Sequence, residues 1–322
     1  DDGTLEVTGN FHGGDVVVGD AVEDPATAKF AIKAGETVSV KSLLIQSDGQ
    51  LSTQGDQSSP STLTVENDLV VDGGQWDLSP GSSVTARTTE IKDGVVELPA
   101  DVTLTSSTVK VGDGTGAAST AKMTVNGSLI SDNVTINSDG NVDFEHDTHI
   151  TNALTLEGGQ AKVGAGKTVS MTETRINEGT IDVAATGTLS GRTLTVGDGD
   201  TAAAQLNNAG TVAFLTLNVN SDGTFDNQAT TSATTLNTLN VAGGNVNVTS
   251  GSFAANTNNI DAGTVTVASG STYTASTLNV GNGEGDAESA KFINEGTLTG
   301  LSALTVKSDG SFKTSTDTSI SS

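Results

Sequence analysis

A long internal repeat constrains what this chain can fold into more than any other feature. The pattern occurs four times, opens with a hydrophobic-x-Val-Gly-Asp/Asn element and closes on Ser-Asp-Gly-x-apolar. The openings are Val16–Asp20, Val109–Asp113, Leu194–Asp198 and Leu278–Asn282, and the closings are Ser47–Leu51, Ser138–Val142, Ser221–Phe225 and Ser308–Phe312. The same landmarks in the same order indicate one structural unit that is built repeatedly.

The spacing of these landmarks indicates the size of a smaller unit. Successive Ser-Asp-Gly sites lie 91, 83 and 87 residues apart, which corresponds to four coils of roughly 20 residues each. Between them, short alternating runs such as Leu63–Val65, Val102–Leu104 and Val265–Val267 have the period of three-residue strands with one buried side. Stacked coils join such strands by backbone hydrogen bonds. We therefore predict an all-β parallel β-solenoid with coils of about 20 residues and roughly 16 coils in total.

The repeat also predicts the domain organisation. We expect one continuous solenoid over 1–322, with long repeats at approximately 16–108, 109–193, 194–277 and, incomplete, 278–322. An array of immunoglobulin-like sandwich modules would have repeats of similar length. However, such modules usually carry a buried Trp or a Tyr corner in each copy, whereas Trp76 and Tyr273 each occur once and at unmatched points. Disorder fits the polar composition, but not the recurring β-branched runs.

Charge and composition argue against several classes of function. The chain has 14 Lys and Arg residues and 39 Asp and Glu residues, which gives a formal net charge of −25. We therefore predict that it binds neither nucleic acid nor an anionic membrane surface. Cysteine is absent, which excludes disulfides and thiolate sites. Enzymes that cleave polysaccharides need carboxylates that converge on one groove, with aromatic platforms for the sugars. Aromatic residues make up only 3%, and the acids recur with the repeat, so we predict no catalytic site.

The Asp-Gly turns are candidates for a calcium site. They present carboxylates and free carbonyl oxygens, the ligands that Ca²⁺ prefers, and they make Asp113, Asp198 and Asp200 candidate ligands. Asp-Gly is also ordinary turn chemistry, and neither the nonapeptide calcium repeat nor an EF-hand loop is present. We therefore predict no cofactor, with Ca²⁺ as the one ion that the sequence leaves open.

A second candidate for a metal lies in the run Asp143–His149, which contains two of the three histidines. On a strand, Glu145, Asp147 and His149 would share one face, and carboxylates with imidazole are competent ligands for a transition metal. An exposed polar strand beside a turn explains the same residues. Only one of the four copies contains this run, which favours the structural interpretation.

Pairs of threonine separated by one residue raise the question of a flat, ice-binding face. The pairs Thr172/Thr174 and Thr314/Thr316 do not keep one register from coil to coil. We therefore predict that outward threonine serves here as ordinary strand surface.

The Ser-Asp-Gly turns, the absence of Cys and a set of Asn-x-Gly-Thr-apolar elements together resemble the passenger regions of bacterial autotransporter adhesins, in particular the AIDA-like self-associating group. The elements are Asn177–Ile181, Asn208–Val212 and Asn294–Leu298. The resemblance spans essentially the whole chain. It implies a right-handed parallel β-helix that is exported across two membranes, displayed on the cell surface and active in adhesion, aggregation or biofilm formation. The membrane β-barrel of that family is missing from the C-terminal end, so the chain would be an excised piece of the passenger, tied to the membrane only through that missing barrel.

We therefore expect an extracellular, structural or adhesive solenoid that is not an enzyme and that binds another copy of itself or a ligand on a host surface. Two alternatives stay open. A glycan-binding or glycan-degrading solenoid, such as a phage tail spike or a lyase, would cluster its acids in one groove. A filament or surface-layer subunit would expose coil ends at both termini, since uncapped ends invite further stacking.

Overall fold

The computed structural model describes residues 3–20, 27–230, 233–318 and 320. The regular secondary structure in this part of the chain consists entirely of β-strands. The strands pair in parallel and wind into a β-solenoid of about 14 turns with about 21 residues per turn. The predicted fold class is confirmed. The described residues contain no helix of the length and hydropathy that a membrane span requires. The right hand of the coil, which the resemblance implies, stays a prediction.

The strands are numbered here in chain order. The first fourteen are β1 (Thr4–Val7), β2 (Phe11–His12), β3 (Asp15–Val18), β4 (Ala28–Ile32), β5 (Thr37–Val40), β6 (Ser42–Gln46), β7 (Gly49–Thr53), β8 (Thr62–Asp72), β9 (Gln75–Asp77), β10 (Ser83–Leu98), β11 (Thr103–Val111), β12 (Ala121–Val125), β13 (Ser128–Asn137) and β14 (Gly140–Phe144). The others are β15 (Thr148–Val163), β16 (Thr168–Ser170), β17 (Glu173–Val183), β18 (Thr188–Val196), β19 (Ala204–Asn208), β20 (Thr211–Asn220), β21 (Gly223–Asn227), β22 (Ala233–Val248), β23 (Ser252–Val267), β24 (Thr272–Val280), β25 (Ala290–Asn294), β26 (Thr297–Thr299), β27 (Ala303–Val306) and β28 (Gly310–Thr314).

The chain divides into two compact units. The first comprises 1–153 and 159–161, and the second comprises 154–158 and 162–322. The single continuous solenoid over 1–322, with its four long repeats, therefore stays a prediction.

In the first unit, successive coils place their strands in three parallel stacks, named A, B and C in the order in which the chain visits them. Stack A contains β1, β4, β7, β9, the last part of β10, β12 and β14. Stack B contains β2, β5 and the first parts of β8, β10, β11 and β13. Stack C contains β3, β6 and later parts of β8, β10, β11 and β13.

The second unit repeats this arrangement. Stack A contains the last part of β17, β19, β21, the last parts of β22 and β23, β25 and β28. Stack B contains β16, the first parts of β18, β20, β22, β23 and β24, and β26. Stack C contains the first part of β17, middle or last parts of β18, β20, β22, β23 and β24, and β27.

The core of each coil consists of alternate residues along its strands. In stack B of the first unit, Val38, Leu63, Val84 and Leu104 lie one above another and are 0% exposed. Burial of an aliphatic side chain of this size stabilises a fold by about 1.5–3 kcal/mol relative to its exposure. Because each coil adds such residues on several strands, stability accumulates coil by coil.

The strands are longer than the three residues that the alternation indicated. Four of them, β10, β15, β22 and β23, have 16 residues each. Such strands bend from one stack into the next at a corner, where Gly94 (φ 94°) and Gly243 (φ 109°) adopt the left-handed backbone conformation that other residues disfavour. A short apolar run therefore marks only the buried part of a longer strand.

The number of turns is lower than the predicted 16, because some coils carry a loop. Ile91 pairs with Val111, 20 residues further on, whereas Val111 pairs with Ile136, 25 residues further on. The longer of these two coils, from Val111 to Ile136, contains the loop 112–120 between stacks C and A. The loop follows the Val-Gly-Asp landmark of the repeat.

A run of aromatic side chains fills part of the core of the second unit. The rings of Phe225, Phe253, Tyr273, Phe292 and Phe312 contact one another in that order, with centroids 5.0–5.9 Å apart. Burial raises the pKa of the Tyr273 phenol. Its hydroxyl donates to Asn258 Oδ1 at 2.6 Å, so the one polar atom of this ring has a partner.

Candidate functional site

The two sequence landmarks of the long repeat contact each other. In the first unit, the carboxylate of Asp139 accepts hydrogen bonds from the backbone N–H groups of Gly114 at 2.7 Å and Asp113 at 3.2 Å. Asp139 belongs to a Ser-Asp-Gly turn, and its donors belong to the Val-Gly-Asp turn 25 residues earlier in the chain. We call this contact a clasp, because it fixes the start of a corner loop to the coil that follows.

The clasp occurs in all four copies of the repeat. Asp48 accepts from Asp20 N at 2.8 Å, Asp222 accepts from Gly199 N at 2.8 Å and Asp198 N at 3.1 Å, and Asp309 accepts from Gly283 N at 2.7 Å and Asn282 N at 3.1 Å. The clasping carboxylates of the first, second and fourth copies are buried, whereas the third is half-buried. The conserved order of the landmarks along the chain thus has a structural cause.

Two glycines make the clasp sterically feasible. A Cβ on Gly112, which has φ of 83°, would lie 2.3 Å from Asp139 Oδ1. A Cβ on Gly140 would lie 2.1 Å from the carbonyl oxygen of Val111. Since real Cβ atoms do not approach other atoms so closely, both landmarks need glycine at these positions.

The charge of the fourth clasp is stabilised by the backbone. Burial raises the pKa of the Asp309 carboxyl. Hydrogen bonds from backbone N–H groups, of which that from Gly283 has the largest effect, lower the pKa by more than burial raises it. The pKa of Asp309 therefore lies below the ordinary value for Asp. An ionised carboxylate that accepts several N–H bonds forms stronger hydrogen bonds than a neutral acceptor.

The candidate calcium ligands lie in these clasped turns. Asp198 and Asp200 come together with Asp222, and each residue offers an oxygen within 4.8 Å of the others. The sequence pattern did not indicate Asp222 as a ligand, because its approach to the other two residues depends on coil stacking. These carboxylates also accept backbone bonds: Asp198 Oδ1 from Asp200 N at 3.0 Å and Asp200 Oδ1 from Ala202 N at 2.7 Å. Calcium binding at this cluster stays a prediction.

Asp113 occupies the corresponding turn of the first unit. Its Oδ1 accepts from the Thr115 hydroxyl at 2.6 Å and from Thr115 N at 2.8 Å, and these bonds hold the pKa of the Asp113 carboxyl below its ordinary value. This is the turn chemistry that the sequence also suggested for Asp-Gly.

The second metal candidate has a different geometry from the one expected. Glu145 and Asp147 lie in the loop between β14 and β15 rather than on a strand, and only His149 lies on β15. The three therefore do not share one strand face. In the described part of the chain, the trio Asp198, Asp200 and Asp222 is the only group of three His, Asp or Glu residues whose ligand atoms converge.

A ladder of asparagine side chains lies on the outward side of stack C in the second unit. Asn240 Nδ2 donates to Asn218 Oδ1 at 2.9 Å, Asn259 Nδ2 to Asn240 Oδ1 at 3.0 Å, and Asn279 Nδ2 to Asn259 Oδ1 at 3.0 Å. We call these four residues the asparagine ladder. Beside it runs a column of threonine, Thr193, Thr216, Thr238, Thr257 and Thr277.

Cavities on the described surface include the following two. One, of about 380 Å³, is lined by residues of β1, β3 and β4, with Lys29 as its one charged residue. The other, of about 260 Å³, has Lys162 and Asp182 on its wall. Neither places two carboxylates together, which is what the glycan-degrading alternative requires. The absence of catalysis stays a prediction.

Comparisons with known proteins leave the function to be inferred from this geometry. No family model matches the chain, and no curated protein and no solved structure gives a significant match.

Proposed function

We propose that this protein is an extracellular, cell-surface β-solenoid that mediates adhesion or self-association. The observation that carries the proposal is the asparagine ladder, a row of identical hydrogen-bonding groups in register from coil to coil. The resemblance of the sequence to autotransporter passengers supports the extracellular location. The partner is a second copy of the chain or a ligand on a host surface.

The ladder is suited to many weak contacts. A carboxamide has two N–H donors and an oxygen with two lone pairs, and the contacts between Asn240 and its neighbours Asn218 and Asn259 use one donor and one acceptor. Each central rung therefore has a second N–H and a second lone pair to offer. Since adjacent strands lie about 4.8 Å apart, these groups repeat at a short, regular interval. Multivalent contacts of this kind give avidity that a single rung does not have.

The charge of the chain favours such a neutral surface for contact. Two copies that each carry a formal charge of −25 repel each other, and the repulsion is weakest where no charge lies at the interface. The ladder and the threonine column beside it contain no ionisable group. Contact through this surface is therefore less opposed than contact through the acidic corner loops.

The proposal is tested with beads that carry the protein at high density, which imitates display on a cell. We expect wild-type beads to aggregate with one another or to bind a layer of epithelial cells. The variant Asn240→Ala/Asn259→Ala, which interrupts the ladder, should lose this binding. The control is Asn207→Ala/Asn247→Ala, which removes two half-buried amides from stack A of the same unit.

Two outcomes would contradict different parts of the proposal. Wild-type beads that neither aggregate nor bind cells would contradict the proposed function. Equal loss of binding in the ladder variant and in the control would show that the ladder is not the contact surface.

A further inference from the structure

The outward side of stack B is built almost wholly from threonine, serine and alanine. In the first unit its positions are His12, Thr37, Ser39, Thr62, Thr64, Ser83, Thr85, Thr103, Thr105, Ser128 and Ile130. In the second unit they are Thr168, Ser170, Thr188, Ser190, Thr211, Ala213, Ala233, Thr235, Ser252, Ala254, Thr272, Thr274, Thr297 and Thr299. We call these positions the hydroxyl face of each unit.

The hydroxyl face corrects the expectation that threonine pairs do not keep register. The pairs considered from the sequence were Thr172/Thr174 and Thr314/Thr316, of which Thr174 is buried and the second pair lies in and beyond β28 of stack A. Other pairs do stack: Thr62/Thr64 lies between Thr37/Ser39 and Ser83/Thr85. Only the coil register shows which pairs belong together.

The hydroxyl face carries no Asp, Glu, Lys or Arg in either unit, and its one ionisable side chain is His12, opposite Ser39. The other two stacks differ in this respect, since stack A has Lys122 and Asp143 on its outward side and stack C has Glu90 and Lys110. In a chain with 39 acidic residues, two long columns without Asp, Glu, Lys or Arg indicate an occupant that is uncharged.

The spacing of the hydroxyl face is regular in both directions. Within a coil, two outward residues on one strand are about 6.7 Å apart, and successive coils are about 4.8 Å apart. The register shifts of β10 and β20 fall at corners, between Ala86 and Thr88 and after Val219, so they lie outside this face. The result is a two-dimensional array of hydroxyl and methyl groups. Its two repeats are close to those of the oxygen atoms on a prism face of ice.

We propose that the hydroxyl face binds the crystalline surface of water ice. This function is separate from adhesion, because it uses stack B rather than the asparagine ladder of stack C. An ordered layer of water on the face joins the ice lattice, with hydroxyl groups as hydrogen-bond partners and the threonine methyl groups between them.

The chemistry of threonine favours this occupant. A β-branched side chain has few χ1 rotamers, especially between two neighbours on a strand, so the array is already ordered before binding. Pre-organisation reduces the entropy that binding costs. The side chains of Thr274 and Thr299, one coil apart, show such order, with their hydroxyl oxygens 3.1 Å apart. Charged groups would hold their own hydration shells and disrupt an ice-like layer, which fits their absence here.

The test measures partition of the full chain into slowly growing ice, together with thermal hysteresis. We expect the wild-type chain to be enriched in the ice and to lower the freezing point below the melting point. The variant Thr105→Tyr/Thr274→Tyr places one protruding ring on each hydroxyl face and should lose both effects. The control Ser107→Tyr/Ser276→Tyr changes exposed positions at a corner of the same strands, β11 and β24, and should retain them.

The outcomes distinguish ice binding itself from its assignment to the hydroxyl face. Exclusion of the folded wild-type chain from ice would overturn the proposal without any variant. Equal loss in the face variant and the corner control would overturn the assignment to the hydroxyl face. Bead adhesion by the same variants is measured in parallel and should remain, since the asparagine ladder is unchanged.

Discussion

The outward side of stack C differs between the two units, although the inward side does not. In the first unit the outward column reads Val17, Leu44, Val70, Glu90, Lys110 and Thr135, and in the second it reads Arg175, Thr195, Asn218, Asn240, Asn259, Asn279 and Thr305. The residue that follows each outward position along its strand is Val or Ile in both units, for example Ile45 and Val241. Stacking therefore constrains the inward positions, while the outward positions are free to carry function.

The largest predicted effect comes from placing a charge on the inward side. We expect Val196→Asp to destabilise the second unit by about 3–5 kcal/mol, because an unpaired carboxylate would enter the core. Val196 is 0% exposed, whereas its neighbour Thr195 points outward and is half-buried. Thr195→Asp is the matched control and should change stability little. Urea denaturation followed by circular dichroism measures both, and equal midpoints for the two variants would contradict the assignment of inward and outward sides.

The clasps give the next largest effect, through their glycines. Gly140→Ala should destabilise the first unit by about 3 kcal/mol, because its Cβ meets the Val111 carbonyl and the neighbouring backbone must shift. Gly114 has φ of 83°, but a Cβ there meets nothing within 4 Å. Gly114→Ala should therefore cost only about 1 kcal/mol, from backbone strain. Thermal melting of the two variants ranks them, and the reverse order would refute the clasp geometry.

Loss of the clasp carboxylate should have a smaller effect that differs between the units. Asp139 is 1% exposed and its carboxylate accepts two part-buried bonds, from the N–H groups of Asp113 and Gly114, so Asp139→Ala should cost about 2–3 kcal/mol. Asp222 is half-buried, and water replaces part of its bonds, so Asp222→Ala should cost about 1 kcal/mol. Hydrogen exchange of the clasped amides, read by NMR, reports each loss locally. Equal protection of the clasped amides from exchange in the two variants would contradict the predicted difference between the two clasps.

The smallest effect is the pH dependence of the fourth clasp. The pKa of Asp309 in the folded chain lies below its ordinary value, so the unfolded chain binds this proton more tightly. The contribution of Asp309 is fully present above about pH 4 and is lost as the pH falls through the lowered pKa. Urea midpoints of the wild type and of Asp309→Asn should therefore converge on acidification. A gap that widens at low pH would contradict the sign.

The sequence was sufficient for the fold but not for the surfaces. The alternation of residues such as Leu63 and Val65 predicted buried strands, because the period of a strand is visible within one coil. For the clasp, the sequence indicated the two participating segments, Val111–Asp113 and Ser138–Gly140, as landmarks of the repeat. It did not indicate that they contact each other, because that contact depends on how the coils stack. The hydroxyl face and the asparagine ladder depend on the same register. That register varies, since the distance between stacked residues is 20 in one coil and 25 in the next.

The most direct test of the central claim, that the asparagine ladder is a contact surface, is sedimentation velocity of the purified chain at increasing concentration. We predict concentration-dependent association of the wild type and of Asn207→Ala/Asn247→Ala, and its loss in Asn240→Ala/Asn259→Ala. Runs with millimolar Ca²⁺ show whether the cluster of Asp198, Asp200 and Asp222 affects association. A wild type that stays monomeric at every concentration, with and without calcium, would contradict self-association. Association that survives in the ladder variant would contradict the role of the ladder.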